Sequence, residues 1–255
     1  GVPRFYHLRA SAGFLPDFDE LASLVTERTK VMFTNSPSNP TGRVYGEDIV
    51  GGIVEFANRH DIWVISDEVY DELVLDPSVS HVPSARFDTE GRVISVFSFS
   101  KVYAMTGWRV GYAVARGQIP GLLRSTQEPQ LSCPSTISQK AAEAALTGPR
   151  EPITAMRDAY AERAAFAVKT ADAAGLRASE PQATIYMLLD VSEYGSDGGL
   201  DFALELLRQQ HVSIAPGSVF GPGGDGMVRI SLAADESTIE VGINRIAAHL
   251  QPGRN

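Results

Sequence analysis

Lys101 is one of four lysines in the chain and the one set among small and apolar residues, in Ser98-Phe99-Ser100-Lys101-Val102-Tyr103-Ala104. It follows an apolar run, Val93-Ile94-Ser95-Val96-Phe97, that reads as a buried strand. Burial disfavours an ammonium, and the neutral amine is what attacks a carbonyl to form a Schiff base. A surface lysine in a loop is the other reading, and this segment alone leaves both open. Asp67-Glu68-Val69-Tyr70 begins where a second apolar run, Ile62-Trp63-Val64-Ile65, ends. A carboxylate there is costly unless a cation pairs with it, although it also suits a helix cap. Arg229, in Val228-Arg229-Ile230-Ser231, reads by itself as a surface charge on a strand.

Other patterns carry less. Ser98-x-x-Lys101 has the spacing of an acyl-transferring serine with a lysine base, but the Ser-Asp-Asn and Lys-Thr-Gly partners of that chemistry are absent. Gly221-Pro222-Gly223-Gly224-Asp225-Gly226 fits G-x-G-x-x-G but leads into a strand instead of opening a helix, so it reads as a loop. The five histidines show no ligand spacing, and the single cysteine, Cys133, excludes a disulfide framework and a cysteine zinc cluster. No metal site is expected. Cys133 reads as a small buried residue.

The elements that must position these groups alternate. Helices are expected at 17–29, capped by Asp17 or Asp19, and at 47–60; strands at 31–34, 62–65, 93–97 and 109–115. Alternation of this kind predicts a mostly parallel sheet covered on both faces. In such sheets ligands bind beyond the carboxyl ends of the strands. The 35–42 loop, Asp67 and Ser98–Lys101 all fall there, which predicts one shared site. Ala-rich helices follow at 134–147 and 150–174. Beyond Gly175 the chain reads as a smaller α+β domain: a strand at 185–190, a Gly-rich loop at 195–199, a helix at 200–210, strands at 212–215 and 227–231, and a helix at 235–249.

With 255 residues, 44% hydrophobic and 21% charged, the chain can bury a sizeable core. Lys and Arg total 22 against 31 Asp and Glu, a net charge of −9, which argues against nucleic acid as the partner. No apolar run approaches the roughly 18 residues of a membrane span. A single cysteine permits a reducing compartment, and a cytoplasmic location is expected. The chain opens Gly1-Val2-Pro3-Arg4 with no signal pattern.

Four motifs occur in order: Asn35-Ser36-Pro37-Ser38-Asn39-Pro40-Thr41-Gly42, Ser66-Asp67-Glu68-Val69-Tyr70, Ser98-x-Ser100-Lys101 with Gly107-Trp108-Arg109-Val110-Gly111, and Val228-Arg229-Ile230-Ser231. Together they resemble the class I/II aminotransferases of the aspartate aminotransferase family, which use pyridoxal phosphate on fold type I. The resemblance runs from about residue 15 to the end. It implies an α/β fold: a cofactor-binding large domain over 1–155, built as an αβα sandwich, and a small α+β domain over 156–255, joined by the 150–174 helix. Lys101 would hold the cofactor through its amine and then move the substrate proton. Asp67 would pair with the pyridine nitrogen and keep the ring an electron sink. Asn39 and Tyr70 would bond the phenolic oxygen, Ser98 and Arg109 the phosphate, and Arg229 the substrate carboxylate, with Asn39 also beside the substrate. A cis Asn39-Pro40 bond is implied too.

The implied activity moves an amino group between an L-amino acid and a 2-oxo acid by a ping-pong route, in a homodimer. Other readings on the same scaffold are a carbon–sulfur lyase, the ligand domain of a transcriptional regulator, and an inactive remnant. The resemblance also implies that the chain corresponds to the C-terminal part of a family member, with Val2–Leu8 an internal strand of the large-domain sheet.

Overall fold

The computed structural model describes residues 1–194 and 198–251. In chain order the elements are α1 (Phe18–Leu24), β1 (Val31–Asn35), α2 (Glu47–Arg59), β2 (Trp63–Asp67), β3 (Val93–Ser98), α3 (Phe99–Val102), β4 (Gly111–Ala115), α4 (Ile119–Leu131), α5 (Thr136–Thr147) and α6 (Glu151–Ala173). There follow β5 (Arg177–Ala178), β6 (Tyr186–Asp190), α7 (Leu200–Gln210), β7 (Ala215–Pro216), β8 (Met227–Ser231) and α8 (Glu236–Leu250), with short 3-10 turns between. The chain divides into two compact units: residues 22–37 with 44–157, and residues 1–21 and 38–43 with 158–255.

In the first unit the strands lie in the order β1-β2-β3-β4. The first three pair in parallel and β4 runs antiparallel to β3. Alternation puts Met32, Val64 and Val93 in one row and Thr34, Ser66 and Ser95 in the next, all buried on one face. α2 supplies apolar residues at helical spacing, Val50, Ile53, Val54, Phe56 and Ala57, all buried, with Glu47 and Asp48 in its first turn. On the opposite face of the sheet Val31 and Phe33 remain about half exposed. A separate cluster joins Phe99, Met105 and Val110 to Ala142 of α5.

The second unit holds a sheet of order β5-β6-β8-β7, antiparallel at every pair. Met187, Leu188 and Leu189 of β6 are buried, as are Leu206 of α7, Ile239, Ile243 and Ile246 of α8, and Ala164, Ala167 and Ala171 of α6. Asp235 caps α8 by accepting from the Thr238 amide at 2.8 Å.

Several expectations are corrected. Residues 2–8 form no strand; Val2 and Phe5 are exposed, and the segment is held by His7, whose amide donates to Glu20 Oε1 at 3.2 Å. A strand needs a ladder partner, and among the described residues that segment has none. The first helix ends at Leu24, not 29, because Thr29 Oγ1 accepts from the Thr26 amide and turns the chain. Asp17 caps it, through the Asp19 and Glu20 amides. The strand expected from 109 begins at 111, since Arg109 takes a left-handed conformation. The strand expected at 212–215 shortens to Ala215–Pro216. Helix α4 was unexpected, and Cys133, just beyond it, is exposed and not buried. α4 buries no residue, so nothing on that stretch covers the thiol. Residues 195–197 of the expected Gly-rich loop lie outside the described residues.

Candidate active site

Asn35, Asp67 and Ser98 are the last residues of three adjacent parallel strands. Register pairs Asn35 with Asp67, and Asp67 with Val96 two residues short of Ser98. β4 starts at the same edge, with Gly111 opposite Ser98. Parallel pairing therefore collects Asp67, Ser98, Lys101 and Arg109 at one end of one sheet.

Backbone bonds fix the Asp67 corner. Its carbonyl accepts from Asn35 Nδ2 at 3.0 Å and from the Ser36 amide at 3.1 Å, and the Glu68 amide donates to the Val96 carbonyl at 2.9 Å. The carboxylate accepts from the Val69 amide at 3.3 Å. Among the described residues no cation pairs with it. Burial pushes its acidity to higher pH, the Val69 bond opposes that shift, and the Glu68 charge adds to it. Glu68 itself is buried and well supplied with donors: Ser95 Oγ at 2.7 Å, His81 Nε2 at 2.8 Å and the Ser84 amide at 3.3 Å.

Lys101 is half-buried in the last turn of α3, and its Nζ lies 5.9 Å from the centre of the Tyr70 ring. Among the described residues that amine has no hydrogen-bond partner. Tyr70 is buried. Ser98 caps α3, its Oγ accepting from the Ser100 amide at 3.1 Å, which leaves its hydroxyl proton to donate elsewhere. Arg109 is exposed, and its Nη1 donates to the Thr106 carbonyl at 2.8 Å. No direct bond joins Ser98 and Arg109.

The second unit brings Asn39 and Arg229 together: Arg229 Nη1 donates to Asn39 Oδ1 at 2.8 Å. The Asn39 loop is tied down by the Gly42 amide donating to the Ser38 carbonyl, and by the Gln182 and Ala183 amides donating to the Gly42 carbonyl. Gly42 has φ +70, and a Cβ there would lie 2.6 Å from Pro181 Cβ, so only glycine fits. Asn39-Pro40 is cis, as expected, and Ser36-Pro37 is cis as well. Sequence reasoning passed over Asn35, Glu68 and His81. It also passed over two rings that stack on Arg229, Tyr186 and Phe220. A buried acid directly after Asp67 was the available signal for Glu68.

Asp71, one turn beyond, is pushed up to about 6, by burial first, with the Glu68 charge adding and the His81 and Arg150 charges opposing. An acid raised in the folded state gives stability that is present below its unfolded value and lost as pH rises through about 6. Asp71→Asn is therefore expected to stabilise the chain at pH 7.5 by at most about 3 kcal/mol, at roughly 1.36 kcal/mol per pKa unit, and to be neutral near pH 4. Thermal melts of both proteins across that range check it; a gain that is the same at both ends would refute the assignment.

The family model for class I and II aminotransferases matches residues 1–246. The chain belongs to that family. The match begins at residue 1, ahead of the residue-15 start expected from the motifs. Relatives include the aspartate aminotransferase of Bacillus sp. (strain YM-2), 33% identical over 96% of this chain and 64% of that protein. That of Pyrococcus abyssi is 36% identical over 91% and 60%. Among solved structures, an aspartate aminotransferase double mutant from Thermus thermophilus superposes with a TM-score of 0.90 at 30% identity, covering 98% of this chain and 64% of that one. The aromatic aminotransferase of Pyrococcus horikoshii gives 0.89 at 34%, covering 94% and 65%. The fold is the fold type I of these aminotransferases, and the chain spans about 64% of the length of the curated relatives it matches.

Proposed function

We propose that this aminotransferase-family chain carries the chemistry of a pyridoxal-phosphate-dependent transaminase, exchanging the amino group of an L-amino acid with a 2-oxo acid in a ping-pong cycle. The observation that carries the reading is at one sheet end: a lysine amine with no hydrogen-bond partner and a half-buried carboxylate with no cation among the described residues. A protonated pyridine nitrogen is the cation Asp67 lacks, and the cofactor's aldehyde is the electrophile that suits Lys101. When bound, the cofactor supplies an electron-withdrawing ring that stabilises negative charge at the substrate Cα.

The chain's own residues do the rest. Lys101 would hold the cofactor through its amine, and Nζ would carry the substrate Cα proton. Asp67 holds the proton on the ring nitrogen. Tyr70 and Asn39 donate to the phenolic oxygen. Ser98 and Arg109 hold the phosphate, the arginine as a cation and the serine as a donor. Arg229 takes the substrate carboxylate and fixes its orientation.

The same reading assigns the cofactor to a large domain over 1–155 and a small domain to 156–255; the compact units differ from it in grouping residues 1–21 and 38–43 with the C-terminal portion. A homodimer in the cytoplasm completes the proposal. Among the described residues no helix is long and apolar enough to cross a membrane.

The test is the absorption spectrum of the purified chain with added pyridoxal phosphate, then borohydride reduction and peptide mapping. A visible band and a reduced adduct on the peptide holding Lys101 are expected. An adduct confined to Lys30, Lys140 or Lys169, or none in a folded chain, would overturn the reading for this chain.

A further inference from the structure

Arg229 is held far more closely than a surface arginine on a strand. It sits mid-strand on β8, opposite Leu188 of β6 and Ala215 of β7. Tyr186 lies two residues from Leu188, so the period of the sheet puts it diagonal to Arg229 on the same face. Its ring centre is 3.8 Å from the guanidinium carbon. The Phe220 ring is 4.7 Å from the same carbon.

Phe220 reaches that position through the glycine loop that matched G-x-G-x-x-G. Phe220 ends a 3-10 turn at Gly217–Phe220, followed by Gly221 at φ +111. Gly217 and Gly224 are packed backbone to backbone: a Cβ on Gly217 would collide with the carbonyls of Gly224 and Met227, and one on Gly224 with the carbonyl of Gly217. The loop is therefore built around its glycines, and what it delivers is an aromatic ring onto Arg229.

Two aromatic rings on one guanidinium restrict how an anion can approach. Nη1 already donates to Asn39 Oδ1. The remaining N–H groups of Arg229 have no partner among the described residues, and they point outward in the plane of the guanidinium. The Tyr186 and Phe220 ring centres lie within 3.8 and 4.7 Å of the guanidinium carbon, and ring faces carry negative electrostatic potential. A carboxylate presents two oxygens in one plane and fits edge-on to the fork. A tetrahedral head group brings a third oxygen out of plane, towards a ring face that repels it.

We propose that Tyr186 and Phe220 are positioning residues that make Arg229 selective for planar carboxylates over tetrahedral anions, such as sulfonates and phosphonates. This deepens the assignment of Arg229 to the substrate carboxylate and rests on it. The substrate class it selects is α-amino and 2-oxo carboxylic acids; aminosulfonates and aminophosphonates are turned away.

The experiment titrates the cofactor-free full chain with acetate and with methanesulfonate, two singly charged anions that differ in geometry, and follows the Arg229 Nε–H resonance by NMR. Acetate is expected to bind at least about tenfold more tightly. In Tyr186→Leu, Phe220→Leu and the double variant the ratio is expected to fall stepwise towards about two, chiefly by weakening acetate. Retention of the parent ratio in the double variant, or an equal loss of both anions, overturns the positioning role, since general loosening of the fold has no preference for anion geometry. If neither anion perturbs Arg229 in the parent chain, the assignment of Arg229 as an anion site fails first. That outcome differs from a parent that binds both anions equally, where the anion site stands and the selectivity falls.

Discussion

Lys101→Ala is expected to reduce transamination by about 10⁴-fold or more, and to remove all borohydride-trapped cofactor from the chain. Two functions are lost together. On the proposed reading the nucleophile that holds the cofactor is gone, and so is the base that moves the Cα proton, a step for which a positioned group contributes about 10²–10⁴ by itself. The structure places that amine in the last turn of a short helix that starts where β3 ends, with Ser98 fixing the first turn. No second lysine in the sequence sits in a comparable position: Lys30 precedes β1, Lys140 lies on α5 and pairs with Glu143, and Lys169 is on α6. Because Lys101 is half-buried and makes no hydrogen bond among the described residues, its truncation removes little packing, so the variant is expected to melt within a few degrees of the parent. Loss of activity with the fold intact is the diagnostic pair. Residual activity within tenfold of the parent, measured on folded protein, would remove Lys101 from the chemistry.

The parts of this arrangement legible in the sequence are those encoded locally. Apolar runs at 31–34, 62–65 and 93–97 mark β1, β2 and β3, and their alternation with helices implies parallel pairing, so the shared strand end follows from the pattern alone. Helix α2 was legible because its apolar residues recur at helical spacing beside an acidic first turn. Helix α4 was not: Pro120, Gly121 and Pro129 look like breakers, and although Ile119, Leu122 and Leu123 fall at helical spacing, the helix buries none of them. A proline in the first turn is tolerated there because its missing N–H has no partner in any helix. The start of β4 was misplaced by two residues because the left-handed turn falls on Arg109, with no glycine there to announce it. The aromatic pair on Arg229 was the least legible feature. Tyr186 depends on the register of β6 against β8, and Phe220 on a loop whose shape comes from backbone packing between glycines. Neither register nor loop packing is written in a local pattern.

Asp67→Asn separates binding from chemistry, and it should do so with opposite effects on stability and on rate. Asparagine keeps the size of the side chain and can still accept from the Val69 amide, so the corner held by Asn35, Ser36 and Val96 stays in place. What it removes is a negative charge that burial already disfavours and that the Glu68 charge opposes further. An acid raised by folding contributes stability below its unfolded value and loses it as pH rises through the folded one. The cofactor-free Asp67→Asn variant is therefore expected to melt higher than the parent at neutral pH, with the difference closing as pH falls into the carboxylate range. Turnover should move the other way. On the proposed reading the ring nitrogen would no longer be held protonated without the carboxylate, and the substrate proton would leave against a weaker electron sink, at a cost of about 10²–10⁴ in kcat. Trapping on Lys101 should persist, because attachment uses the amine alone. Added cofactor should then stabilise the parent more than the variant, since only the parent gains an ion pair on binding. Melting curves with and without pyridoxal phosphate, set beside kcat for both proteins, test all of this in one series. A variant that turns over at the parental rate, or whose cofactor-free form melts lower at neutral pH, would mean that the charge at Asp67 is satisfied by the protein itself and is not held in reserve for a ligand.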